Sequence, residues 1–168
     1  MTKVITFSRS FPKYHSDFGK PTEFADKIQL GLGKANLLEL SKKYTVLPAP
    51  KFHTIRKGHR WKVGDKFSPR EWSDKPYCSK QNSLGDDLEI VKIWNFAVDF
   101  EDDFSLSWWI YNEYFDTQNY KLLTEKELEV IAKNDGLSLQ QFIDWFTKTP
   151  KFKGFEGQII CWNESIKY

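Results

Sequence analysis

Between Lys51 and Asp65 the chain reads KFHTIRKGHRWKVGD, and Lys51, Thr54 and Arg56 bring an amine, a hydroxyl and a guanidinium together within six residues. A threonine hydroxyl attacks a carbonyl only when a base takes its proton. A lysine serves as that base once burial and neighbouring cations lower its pKa toward ~7–8. Arg56 supplies such a cation, or binds an oxyanion or a phosphate. A carboxylate must then hand a proton to a leaving amine. In an extended chain side chains alternate, so Thr54 and Arg56 share one face and His53 and Ile55 the other. Lys51 reaches the Thr54 hydroxyl if the strand begins in a bulge or turn. From spacing alone the same residues also make an edge strand whose charges are simply solvated. His53, turned away from Thr54, reads as a structural histidine.

Other chemistries find little support. His15, His53 and His59 are the only histidines, there is no HExxH, and Cys78 and Cys161 lack metal-type spacing, so neither a zinc site nor a cofactor is expected. No Gly-x-Ser-x-Gly elbow occurs. The string Gly31-Leu-Gly33-Lys34 follows a helical pattern where a phosphate loop would follow a strand, and it serves better as a helix stop. The two cysteines read as thiols of a reducing compartment. The N-terminal MTKVITFSRSFP is too short an apolar run for a signal peptide, and no stretch approaches the ~20 apolar residues that span a bilayer. A cytoplasmic protein without a membrane partner is expected.

Charge is unevenly placed in these 168 residues of net charge +2. Lys51, Arg56, Lys57, Arg60, Lys62, Lys66 and Arg70 crowd one block; Asp86, Asp87, Glu89, Asp99, Glu101, Asp102 and Asp103 crowd another. A positive patch of that density steers anionic ligands, including RNA; equally, the two blocks can neutralise each other across strands. Arg60, Lys62 and Trp61 flank the motif as candidate substrate or phosphate contacts. Trp72 and Tyr77 are either base-stacking rings or pins for a long loop.

The elements that must position these groups follow from pattern. Val4–Phe7 is a β-type run. A helix opens at Thr22, its expected N-cap, with Phe24 and Ile28 one turn apart, and a short second helix covers Asn36 to Lys43. Pro48 and Pro50 deliver the chain extended into the Lys51 motif. Strands are expected at Phe52–Arg56, Lys66–Phe67, Leu88–Asp99 and Ser105–Tyr114, with a loop or a ragged hairpin over Ser68–Asp87. Thr124-x-x-Glu127 and Ser138-x-x-Gln141 are capping boxes, each leading an apolar helical stripe, and Asn134-Asp135-Gly136 turns between them. Gly157–Trp162 closes the chain as a strand. Charged residues at 29% and ample aromatics indicate one globular α+β domain over 1–168, built on a small, mostly antiparallel barrel with flanking helices.

Lys51-x-x-Thr54-Ile55-Arg56, followed by Gly64-Asp65, resembles the ASCH family of PUA-like domains, and in it the small bacterial amidohydrolases that remove acetyl from N(4)-acetylcytidine. Ile5-Thr6-Phe7 with Arg9 is similar to the family's first strand, Ala132–Leu139 to its late acid and helix start, and Gln158–Trp162 to its closing strand. The resemblance implies Lys51 as proton acceptor, Thr54 as nucleophile and Asp135 as proton donor, acting without a metal on an acylated nucleoside or nucleotide-like molecule. The family's late acid is glutamate and here it is aspartate, and a ~1 Å loss of positioning can cost ~100-fold. Segments near 35–50, 68–87 and 103–121 are additions to the frame. The family's other expected role is RNA binding without catalysis, and a pocket retained without its chemistry is a third. Catalysis requires Lys51 within hydrogen-bond reach of Thr54 and Asp135 facing them across a pocket large enough for a nucleobase. Taken without the resemblance, Asn-Asp-Gly is good turn chemistry and nothing more.

Overall fold

The computed structural model describes residues 2–100, 105–111 and 120–168. Among the described residues nine strands and four helices run in the order β1 (Lys3–Phe7), α1 (Phe24–Gly31), α2 (Leu37–Lys43), β2 (His53–Lys57), β3 (Lys66–Trp72), β4 (Gln81–Ser83), β5 (Leu88–Glu89), β6 (Lys92–Phe100), β7 (Leu106–Tyr111), β8 (Lys121–Leu122), α3 (Glu125–Asn134), α4 (Leu139–Thr147) and β9 (Phe155–Cys161). The protein is α+β, with two mostly antiparallel sheets. The smaller sheet has β3 at its centre, parallel to β1 and antiparallel to both β4 and β5. The larger runs β2-β9-β6-β7-β8, antiparallel throughout. The expected barrel does not close among the described residues.

Two local expectations are corrected and one left open is decided. Over Ser68–Asp87 the hairpin alternative holds: β3 continues through Pro69 to Trp72 and pairs antiparallel with β4. Pro69 falls between the part of β3 that pairs with β5 and the part that pairs with β4, where a missing N–H is least costly. The run Leu88–Asp99 is not one strand. Leu88–Glu89 joins the smaller sheet and Lys92–Phe100 the larger, and between them Ile90 exchanges backbone hydrogen bonds with Gly64 and Asp65. Thr22 does not cap α1; its hydroxyl donates to the Ser8 carbonyl at 2.5 Å, and Glu23 takes the cap position with φ 59°. The last part of the expected Ser105–Tyr114 strand, and most of the 103–121 segment, lie outside the described residues.

Elsewhere local chemistry and structure agree. Asn36 caps α2, and both capping boxes form, Thr124 with Glu127 and Ser138 with Gln141. The apolar stripes of α3 and α4 cover the larger sheet, where Phe96 and Trp108 meet Phe142 and Phe146 edge-on or tilted. Phe7, Phe24, Phe67 and Trp162 carry the core across to the smaller sheet. No helix among the described residues is long and apolar enough to cross a membrane.

Gly31 closes α1 directly against the start of the site strand. A Cβ built there would lie 2.2 Å from the Lys51 carbonyl oxygen, a backbone atom that cannot swing aside. Gly31→Ala is therefore expected to push α1 away from Lys51 and cost on the order of 1–3 kcal/mol of stability, as overpacking does elsewhere. Urea unfolding of the variant checks this, and a change below the error of the measurement would show that the two segments are not in register as described.

Candidate active site

A helix leaves its last carbonyls without intrahelical partners, and the carboxyl end of α3 meets that need with residues on both sides of β2's start. The Lys51 ammonium donates to the Asp135 carbonyl oxygen at 2.7 Å, the Phe52 N–H donates to Asn134 at 2.8 Å, and the His53 Nε2 lies 3.2 Å from the Ile131 oxygen. Lys27 of α1 donates to Gly136 at 2.6 Å. The helix then stops in a Schellman arrangement: Gly136 has φ 77°, its N–H returns to Lys133 and that of Leu137 to Ala132. Two ammonium groups thus sit at the negative end of the helix dipole.

Asp135, the capping residue of α3, turns its carboxylate into the same spot. Lys51 forms an ion pair with its Oδ1 as well as bonding its carbonyl. Both partners are buried, Lys51 at 1% exposure and Asp135 at 6%. Beneath the amine lie aromatic faces, with Phe24 centred 4.3 Å away and Phe7 5.8 Å. Burial, with help from Arg56 and Lys27, pulls the Lys51 amine down to about 8 against the opposing pull of Asp135. Burial likewise raises the Asp135 carboxyl above its ordinary range. A pair tuned toward each other in this way shares its proton readily.

Thr54, Arg56, Lys51 and Asp135 line one cleft together with Thr6, Phe7, Phe24, Ile55, Trp145 and Phe146. Arg56 donates from Nη2 to the Thr6 carbonyl at 2.8 Å, stands over the Phe7 ring, and keeps a buried Nε without a partner. Burial brings its guanidinium down to about 10, so it stays charged at neutral pH. The cleft is small, about 50 Å³, far below the ~300 Å³ at which ordinary ligand pockets begin. It admits the reacting end of a substrate and not a whole nucleobase. The expected Lys51–Thr54 hydrogen bond is absent among the described residues, because Asp135 has captured the amine.

His53 was placed by parity on the far side of the strand, and its ring does leave the Thr54 face. It nevertheless belongs to the cluster, since its Nδ1 lies 3.5 Å from Asp135 Oδ1, fully buried and without a hydrogen bond. Burial and the Lys51 charge hold its pKa well below the usual histidine value, so the ring is neutral. With Nε2 donating to Ile131, Nδ1 is an acceptor. Lys27 and His53 are the groups that spacing missed; only the knowledge that α3 ends against residues 51–53 would have found them.

The remaining candidates lie elsewhere. Trp61 is a core ring at 2% exposure, packed on Phe67 and covered by Lys3 and Arg60. Arg60 and Lys62 are exposed on the loop after β2. Trp72 lies against Tyr77, which is 89% exposed. Lys51 and Arg56 point inward, so the basic block does not form a continuous outer face. Among the described residues no cluster of His, Cys, Asp and Glu could hold a metal ion. Comparison of the chain with family models, curated proteins and solved structures finds no match.

Breaking a buried ion pair by removing one member is costly. Lys51→Met is expected to destabilise the fold by about 3 kcal/mol at pH 7. The orphaned Asp135 would then hold its proton in the folded state at pH values where the unfolded chain has lost it. Folded protein binding more protons means stability falls as pH rises, so the deficit of the variant should shrink toward pH 4. Paired denaturation curves at the two pH values test this; an unchanged deficit would mean Asp135 is not isolated by the substitution.

Proposed function

We propose that the protein is a metal-independent amidohydrolase of PUA-like type acting on an acylated nucleobase, with N(4)-acetylcytidine as the reference substrate. What carries the reading is the convergence of one hydroxyl, one depressed amine, one raised carboxyl and one guanidinium on a single cleft, drawn from positions 84 residues apart for the Lys51–Asp135 pair.

The buried pair exists in two forms with the same proton count: ammonium with carboxylate, or amine with carboxylic acid. The second is the reactive one. Its acid proton faces the His53 Nδ1, which accepts it, and this favours the neutral form. In that form Lys51 takes the proton of the Thr54 hydroxyl as the oxygen attacks the acyl carbon. Arg56 steadies the oxyanion through its unpartnered Nε. Asp135 protonates the departing exocyclic nitrogen as the C–N bond breaks, leaving an acyl-threonine, an ammonium on Lys51 and a carboxylate on Asp135. Lys51 next returns its proton to Asp135, which restores amine and acid. Water attacks the ester with Lys51 as base, and as the C–O bond breaks the proton passes to the Thr54 oxygen. His53 is a positioning residue in this scheme and Thr54 the nucleophile.

The scheme predicts a bell-shaped pH profile for kcat/KM. Activity should climb as the doubly protonated pair loses its first proton, above the ordinary carboxylate range, and fall above about 8, where the pair loses its second. Thr54→Ala should reduce turnover of N(4)-acetylcytidine by ~10³-fold or more with an unchanged circular-dichroism spectrum. A rate still rising beyond pH 9 would remove Asp135 from its role as acid, and no turnover by the native protein of any acylated cytosine derivative would remove the reaction.

A further inference from the structure

The cleft is too small for the molecule the reaction needs, and the surface next to it is of another kind. Ile55, Trp145 and Phe146 line both the cleft and a groove of about 440 Å³ whose other walls include Tyr14, Phe152 and Phe155. This volume lies within the ~300–1,000 Å³ of ordinary ligand sites. Three exposed lysines edge the groove, Lys57 at the end of β2 and Lys151 and Lys153 in the turn before β9, and no carboxylate among the described residues lines it. None of the three is ion-paired among the described residues. Two acids lie nearby: Glu156 is engaged by Tyr111 and His59, and Asp99, behind Gly154, accepts from the Phe100 N–H. Several other surface lysines are matched to acids, as in Lys3–Asp65, Lys34–Asp86, Lys43 with Glu23 and Asp26, and Lys121–Glu127; what sets these three apart is that they edge one groove. Unmatched cations gathered beside aromatic faces suit an anion that carries a flat ring.

We propose that this groove binds the sugar and phosphate of a nucleotide whose acyl amide alone enters the cleft at Thr54, with the base ring at the cleft mouth against Trp145 and Phe146. The inference rests on the reaction assigned above for the direction of the base and on the groove itself for the phosphate. Geometry favours it, since β2 carries Thr54 and Arg56 at the cleft and Lys57 at the groove, and residues two or three apart along a strand span ~7–10 Å. The phosphate is available from two sources, a free mononucleotide or a nucleotide within a strand.

The test measures binding, so that it does not depend on turnover. Thr54→Ala protein, which holds substrate without cleaving it, is titrated with cytidine, cytidine 5′-monophosphate, inorganic phosphate and a short single-stranded oligocytidylate, following tryptophan fluorescence. The monophosphate should bind roughly tenfold tighter than the nucleoside, about what one charge-assisted hydrogen bond supplies. That advantage should weaken as salt rises and disappear in Lys57→Gln/Lys153→Gln, whose fold is checked by circular dichroism. Still tighter binding of the oligonucleotide assigns the phosphate to a strand, and equal binding assigns it to a mononucleotide. Equal affinity for cytidine and its monophosphate, or a phosphate preference that survives in the double variant, overturns the proposal. A native protein that hydrolyses N(4)-acetylcytidine without any phosphate preference loses the groove and keeps the reaction. One that prefers the monophosphate and hydrolyses nothing keeps the groove and loses the reaction.

Discussion

The carboxyl end of α3 is the constraint on which this structure turns. Its last carbonyls must find donors in a place that water does not reach, and Lys51, Phe52, His53 and Lys27 provide them. That single requirement brings α1, the start of β2 and the α3–α4 turn to one point. It also decides the electrostatics, because satisfying the helix end places two ammonium groups around one carboxylate, with Arg56 close behind. A buried carboxylate alone would be expelled or protonated; buried lysines alone would lose their charge. Held together, they meet midway, and a pair of that kind is suited to passing a proton.

Much of this frame was legible from residue types. Thr124 and Ser138, followed three places later by Glu127 and Gln141, marked the starts of α3 and α4, and Gly31-Leu-Gly33 marked the end of α1, because capping and left-handed turns are local chemistry. The cluster of Lys51, Thr54 and Arg56 stood out for its composition, and Asp135 only through resemblance to a family. What failed was non-local. The extent of β3 beyond Phe67 could not be read locally, because Pro69 is tolerated only by the gap between two neighbouring strands. Leu88–Asp99 was apolar enough for one long strand, and only the positions of two sheets show why it divides at Ile90.

The site itself was misjudged in an instructive way. Strand parity correctly turned His53 from Thr54 but could not show that Asp135 lies at the strand's very start, where Lys51 precedes the regular alternation and both faces are within reach. The same geometry gave the lysine a partner stronger than a hydroxyl: a carboxylate and a helix-end carbonyl together outcompete a neutral acceptor for an ammonium. The amine thereby lines the same cleft as Thr54 while its hydrogen bonds go to Asp135.

One consequence follows from the position of β2 in its sheet. Among the described residues the strand is at the edge and is laddered only to β9, so His53–Lys57 waits for residues 157–161 to arrive. As a chain leaves the ribosome from its amino end, the segment bearing the hydroxyl emerges long before its mate, and contacts of such long range form slowly. The strand that carries the Thr54 hydroxyl is therefore complete only when the last residues of the chain are in place.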